Sequence, residues 1–370
     1  MEVQQITINN KKGKYKAPTQ TKYCSPRLYP MRVSKKIPSE LRFDPVSKDW
    51  VLIATGRARR PEAFRQREVW QKACPFDDLR KEEYPTAAFF RGKEVSLPAS
   101  SAGGPASQWT TIALPNKYPA FALMKSFETR LVGPYQAADG VGFHEVIVTK
   151  SHTKDIPEFS LAQVKELLDM YHARYIALKD EEFVNHISIF KNKGPKAGAT
   201  IAHPHSQLIA TPITDPDITG SLEGSLRYFE QNKKCIHCEM LAWDRADKKR
   251  LVYENEEYTV VCPFASRVAF EMRIYPRKHA SYFERTTDKQ RELLGDALLA
   301  AMQKLSRALK DPDYNYFLHT APADGGNYDH YHWHWEILPK TSTWAGFELG
   351  TGIEISTIEP ESAAAFLRKQ

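Results

Sequence analysis

A chain of 370 residues with 42% hydrophobic and 26% charged residues can bury the core of two ordinary domains or of one duplicated unit. No apolar run approaches the ~20 residues of a membrane span, the start Met1-Glu-Val-Gln-Gln lacks a secretory apolar core, and five cysteines, two of them in a metal-like pair, do not suggest a disulfide framework, so a reducing cytoplasm is expected. The net charge of +7 is uneven, because residues 1–72 hold 17 Lys and Arg against 6 Asp and Glu.

In chain order, residues 1–37 read as a basic, solvated and flexible arm. A nucleic-acid surface there would need aromatic or groove-fitting elements, and none is identified. Trp50-Val-Leu-Ile-Ala54 reads as a strand. The basic loop Arg57-Ala-Arg59-Arg60-Pro61 follows it, placed to hold phosphate oxygens or simply solvated. Cys74-Pro-Phe-Asp77 comes next. Phe143–Val148 reads as a strand ending near His152. Leu161, Val164, Leu167, Leu168 and Tyr171 mark one apolar helix face. The strand-like Ile187–Asn192 leads through Gly194 and Gly198 to His203-Pro-His205-Ser-Gln207.

The same landmarks return in the same order. Cys235-Ile-His-Cys238 stands upstream, Phe270–Tyr275 ends near His279, Leu293, Leu294, Leu298 and Met302 mark a second helix, and Tyr314–His319 leads to His332-Trp-His334-Trp-Glu336. His152 lies 51 positions before His203, and His279 lies 53 before His332. Each half reads strand, helix, strand, strand, which indicates an internal duplication. The expected boundaries are 38–215 for the first repeat and 216–370 for the second.

Two metal sites are expected. Cys235, Cys238, His279 and His332 have tetrahedral zinc-ligand spacing. In the first repeat, Cys74, Asp77, His152 and His203 form a weaker counterpart, because a carboxylate is a harder ligand than a thiolate. In an extended segment His203, His205 and Gln207 project from one face. An unprotonated imidazole there is a competent nucleophile toward phosphorus. Taken alone, the motif equally fits a ligand pair or two surface histidines. His334 and Glu336 read as a degenerate copy, because a carboxylate repels phosphate.

Together these residues resemble the galactose-1-phosphate uridylyltransferase family of the histidine triad superfamily. The resemblance runs from about residue 40 to the end. Asp44-Pro-Val-x3-Trp50-Val, Arg57-Ala-Arg-Arg60-Pro61, Cys74-Pro-Phe, Asn116-Lys-Tyr-Pro119-Ala, Phe190-Lys-Asn192-Lys-Gly194, Ala197-Gly198-Ala and His203-Pro-His205-x-Gln207 carry it, in the family's order. It implies an α+β fold of two tandem histidine-triad-like repeats sharing a mostly antiparallel sheet with helices packed against it. It implies that His205 takes up the nucleotidyl group and that Gln207 holds a phosphate oxygen. Asn116, Asn192, Gly198 and Thr200 match nucleotide and phosphate contacts, and Phe76 matches a base contact. Arg57 and Arg60 match residues that reach a neighbouring subunit's site, so a homodimer is implied. Cys74, His152 and His203 match three ligands of the first metal site, with Asp77 in fourth place, while His319 and His334 match ligands of another version of the second site, built from glutamate and three histidines, and stand as alternates.

The implied activity is transfer of a nucleoside monophosphate from a nucleotide sugar to a hexose 1-phosphate. Gln207 cannot shuttle a proton as the third histidine of the hydrolases does, which favours transfer over hydrolysis. There are departures. Asp77 stands for cysteine, Ser206 for glycine, and Gly346–Gly352 lacks the Tyr-Glu pair of enteric-type transferases. The last feature resembles the branch containing ADP-glucose phosphorylases. A phosphorylase that uses inorganic phosphate on ADP-glucose or a dinucleoside polyphosphate stays open, and a non-enzymatic zinc module is the remote alternative.

Overall fold

Capping residues and strand alternation set the frame. In a computed structural model, described here for residues 39–57, 74–76, 85–96, 108–123 and 127–370, the first elements are β1 (Ser39–Phe43), β2 (Trp50–Ala54), β3 (Ala87–Phe90), β4 (Lys93–Glu94) and β5 (Thr111–Pro115). A separate hairpin, β6 (Thr129–Val132) and β7 (Tyr135–Ala138), comes before β8 (Phe143–Thr149), α1 (Leu161–Leu178), β9 (His186–Lys193) and β10 (His205–Thr211). Then come α2 (Pro216–Asn232), α3 (Ile236–Asp247), β11 (Leu251–Glu254), β12 (Tyr258–Val261), β13 (Met272–Pro276), α4 (Asp288–Leu309), β14 (Tyr314–His319) and β15 (His334–Pro339). The chain closes with α5 (Gly346–Thr351), β16 (Ile355–Ser356) and α6 (Pro360–Arg368).

Both long repeat helices start with the same device. Ser160 and Gln163 form a capping box at α1, and Thr287 and Gln290 form one at α4. Each box satisfies two N–H groups that the first turn leaves unpaired. Of the apolar faces read from the sequence, Val164, Leu167, Leu168 and Tyr171 in α1 and Leu294, Leu298 and Met302 in α4 are buried, whereas Leu161 at the start of α1 is exposed and Leu293 half-buried.

The order of the eleven-stranded sheet is β11-β12-β13-β15-β14-β9-β10-β8-β5-β3-β4. Every pairing in it is antiparallel. The order is nearly palindromic about the β14–β9 junction, where Phe317 pairs with Phe190. These phenylalanines hold equivalent places in the two repeats. The expected fold of two tandem repeats sharing one sheet is therefore the observed one.

One face of the sheet carries Ile187, Ile189, Leu208, Tyr314, Tyr316, Trp333 and Trp335 into the helix-covered core, all essentially inaccessible. Burying each such side chain contributes roughly 1.5–3 kcal/mol. Strand alternation turns the other residues, His205, Gln207, Phe190, Asn192, Phe317, His334 and Glu336, to the opposite face. β16 pairs in parallel with β2, so the C-terminal segment closes a small sheet begun by β1 and β2. No helix among the described residues is long and apolar enough to cross a membrane.

Candidate active site

β10 presents His205 and Gln207, and the Gly194–Pro204 loop delivers the chain into it. Two glycines shape that loop. Gly194 has φ 79°, and an added Cβ would meet the Asp313 carboxylate at 2.2 Å. That carboxylate accepts from the Lys196 N–H at 2.8 Å. Gly198 has φ 87°, a conformation L side chains rarely adopt.

The imidazole of His205 is fixed by its own strand. Its Nδ1–H donates to the His203 carbonyl at 2.8 Å, so Nε2 keeps its lone pair. Burial pulls the imidazole below its usual value, against the opposing pull of that hydrogen bond, and this favours the neutral, nucleophilic form. Behind the strand, Lys191 Nζ donates to the His205 carbonyl at 3.4 Å and pairs with Asp155 at 3.1 Å. Ser206 points into the core and joins the hydroxyls of Tyr171 and Tyr316. The serine found in place of glycine thus has partners and is not left as a buried orphan.

Gln207 Oε1 lies 2.8 Å from His144 Nε2. The sequence reading used Phe143-His144-Glu145 only as a strand landmark and missed this contact. Period-two alternation puts His144 on one face with Val146, and only the pairing of β8 with β10 brings that face to Gln207. The ring of Phe76 sits 5.4 Å from that of His203 and 5.7 Å from that of His205. Asn192 Oδ1 accepts from Asn315 Nδ2 at 2.8 Å, which ties the two repeats together at the site. The Asn116 amide lies against His144. Thr200 is exposed on the loop. Arg60 and Asp77 lie outside the described residues, as does the side chain of Arg57.

The expected set of the second repeat converges, and so do the three described members of the first, Asp77 lying outside the described residues. Donor atoms of Cys235, Cys238, His279 and His332 all lie within 4.8 Å of one another, as do those of Cys74, His152 and His203. Cys238 Sγ is 3.4 Å from Nδ1 of both His279 and His332. Cys74 Sγ is 3.4 Å from His203 Nδ1, which is 3.2 Å from His152 Nδ1. A tetrahedral ion with bonds of ~2.0–2.3 Å requires ligand separations of about 3.3–3.8 Å, so the donors fit without rearrangement. The tautomers fit too. His203 Nε2–H donates to the Thr149 carbonyl at 2.7 Å, and His332 Nε2–H donates to the Pro276 carbonyl at 3.0 Å. Each leaves Nδ1 bare toward the metal position.

A third group, His319, His334 and Glu336, lies at the corresponding place in the second repeat. Arg267 and Arg273 grip Glu336 there, the latter at 2.9 Å. Burial alone would raise this carboxyl, but the two guanidiniums hold it well below the usual range.

Comparison with known proteins supports the same assignment. The family model for the N-terminal domain of galactose-1-phosphate uridyl transferase matches residues 31–214, and a domain of unknown function, DUF4921, matches 135–368. The chain is 31% identical over 342 residues to the ADP-glucose phosphorylase of Arabidopsis thaliana, covering 89% of this chain and 92% of the relative. It is 27% identical over 340 residues to the galactose-1-phosphate uridylyltransferase of Thermotoga maritima, covering 89% and 98%. The crystal structure of the Arabidopsis thaliana ADP-glucose phosphorylase with bound ADP-glucose superposes with a TM-score of 0.73 at 29% identity, covering 90% of this chain and 99% of that one. With the sheet face bearing His205 and Gln207 and the two cysteine–histidine clusters described, these similarities give one conclusion: the chain belongs to the galactose-1-phosphate uridylyltransferase family of nucleotidyltransferases.

Proposed function

We propose that this protein moves a nucleoside monophosphate from a nucleotide sugar to a hexose 1-phosphate in two displacements at His205. Nε2 attacks the α-phosphorus, the bond from that phosphorus to the bridging oxygen breaks, and the sugar 1-phosphate leaves with the electron pair. A phosphate oxygen of the acceptor then attacks the same phosphorus, and the P–N bond breaks back onto Nε2. The sugar phosphate is a good leaving group, so the residues contribute mainly positioning and charge stabilisation. The observation that carries the reading is the His205 imidazole, anchored through Nδ1 with Nε2 bare beside Gln207.

In this reading Gln207 donates to a phosphate oxygen. Asn116, Asn192, Gly198 and Thr200 line the nucleotide and phosphate path, and Phe76 meets the base. Arg57 and Arg60 serve a neighbouring subunit's site in a cytoplasmic homodimer. Zinc suits the thiolate and imidazole donors of Cys235, Cys238, His279 and His332, and also Cys74, His152 and His203 with Asp77 as fourth ligand. Bound there, it would supply structural cross-links, the first of them holding His203 and so the start of the strand that carries His205.

A second reading, phosphorolysis of ADP-glucose by inorganic phosphate, is favoured by the 31% identity to a relative of that name. One experiment tests both. The protein is incubated separately with UDP-glucose and ADP-glucose labelled in the α-phosphate, and the labelled chain is then chased with galactose 1-phosphate or phosphate. Label on wild type and none on His205→Ala is the expected result, and the acceptor that releases it names the reaction. Equal labelling of His205→Ala would overturn the reading.

A further inference from the structure

We infer that His144 is a positioning residue that fixes which way the carboxamide of Gln207 faces. The inference rests on the proposed role of Gln207 and deepens it.

Three hydrogen bonds decide the matter. The Ala120 N–H donates to His144 Nδ1 at 3.0 Å, so in the neutral ring the single proton sits on Nε2. Two groups lie near that proton, Gln207 Oε1 at 2.8 Å and Asn116 Nδ2 at 3.0 Å. Only the oxygen can accept it. The orientation of Asn116 is set separately, because the Tyr118 N–H donates to its Oδ1 at 2.9 Å. The Asn116 backbone N–H in turn donates to the His144 carbonyl at 2.8 Å. His144 therefore sews the 116–120 loop to the catalytic strand. Its Nε2–H holds the oxygen end of the Gln207 amide, which leaves the NH2 end for a phosphate oxygen. A flipped Gln207 would set a second NH2, beside that of Asn116, against a ring nitrogen that already carries a proton, and would leave that proton without the acceptor it has in Oε1. It would also turn its oxygen toward an anion. Both contacts are unfavourable, so one donor residue selects the amide orientation that transfer needs.

The second repeat sharpens the point. The place of His144, 127 positions on, is taken by Glu271, just as that of His152 is taken by His279. Glu271 accepts from the Arg267 N–H at 2.5 Å and pairs with Arg273 at 3.3 Å, so no imidazole addresses Glu336 from that side. The orienting histidine belongs to the repeat that also carries Gln207.

The test is a double-mutant cycle read on the rate of nucleotidyl-enzyme formation from the nucleotide sugar alone. His144→Phe keeps a ring and removes the donor. It should slow adduct formation about 10-fold, the scale of one hydrogen bond, with a smaller change in the half-saturating sugar nucleotide concentration. His144→Gln, which can still donate, should recover part of the rate. In a Gln207→Ala background, His144→Phe should add less than about 2-fold, because the group it positions is gone. Equal losses in both backgrounds would overturn the inference and make His144 an independent structural residue. Wild-type rate in His144→Phe would also overturn it. Full activity of Gln207→Ala alone would instead overturn the reading of Gln207, and this inference with it.

Discussion

The two repeats share a backbone device and differ in what surrounds it. In each, the outer histidine donates Nε2–H to a strand-end carbonyl and the inner histidine donates Nδ1–H to the outer one. His203 and His205 do this at 2.7 and 2.8 Å, His332 and His334 at 3.0 and 3.1 Å. Both inner imidazoles are thereby prepared with Nε2 available. In the second repeat that nitrogen faces Glu336 Oε1 at 3.4 Å, and Glu336 is locked to Arg267 and Arg273. The nearby cavity of about 370 Å³ is walled by Asp44, Asp217, Glu336 and Glu354 as well as those arginines. The reading of the second copy as degenerate thus rests on more than repulsion by one carboxylate. The charges that could have met a phosphate are spent on each other. The same strand device thus sits beside a neutral amide in one repeat and an ion-pair knot in the other, according to the residue two places on.

The largest effect should separate the repeats outright. His205→Ala is expected to remove nucleotidyl transfer and the adduct seen by mass spectrometry, with metal content unchanged. His334→Ala should leave adduct formation at Nε2 of His205 intact. Transfer lost in both variants to the same degree would break the comparison. Next in size, Cys238→Ser should lower metal content and melting temperature together, because binding at a structural site is coupled to folding; metal analysis alongside thermal unfolding checks this. Glu336→Gln removes the carboxylate that two buried guanidiniums share, and because Arg273 keeps Asp44 and Glu271, the cost should fall below the about 3–5 kcal/mol of a buried pair left wholly unpartnered. Denaturant unfolding should show that loss, whereas the reverse substitution at the equivalent place in the first repeat, Gln207→Glu, should cost activity more than stability. The smallest effect is expected at Asp77. Asp77→Cys should tighten metal at the first site, because a thiolate suits zinc better than a carboxylate, and a chelator competition read against metal stoichiometry measures it.

Much of this was written locally. Ser160 with Gln163 and Thr287 with Gln290 announce their helices within four residues, and the apolar spacing that follows gives the buried face. The histidine and cysteine spacings predicted which donors meet, since a metal site built on strand ends constrains positions along the chain. The alternation His203, His205, Gln207 predicted a shared face because β geometry has a fixed period.

The sequence by itself therefore indicated the repeated order of landmarks, the cysteines and histidines that cluster, and the strand that carries His205 and Gln207, all of which follow from short-range periodicity and residue chemistry. Only the tertiary structure decided how the repeats join, edge to edge with Phe190 against Phe317, and which side chains face His205 and Gln207 from elsewhere. His144 reaches Gln207 across 63 positions and Arg267 reaches Glu336 across 69. Such contacts leave no local signature, because strand pairing and a shared sheet face bring together residues that periodicity treats separately.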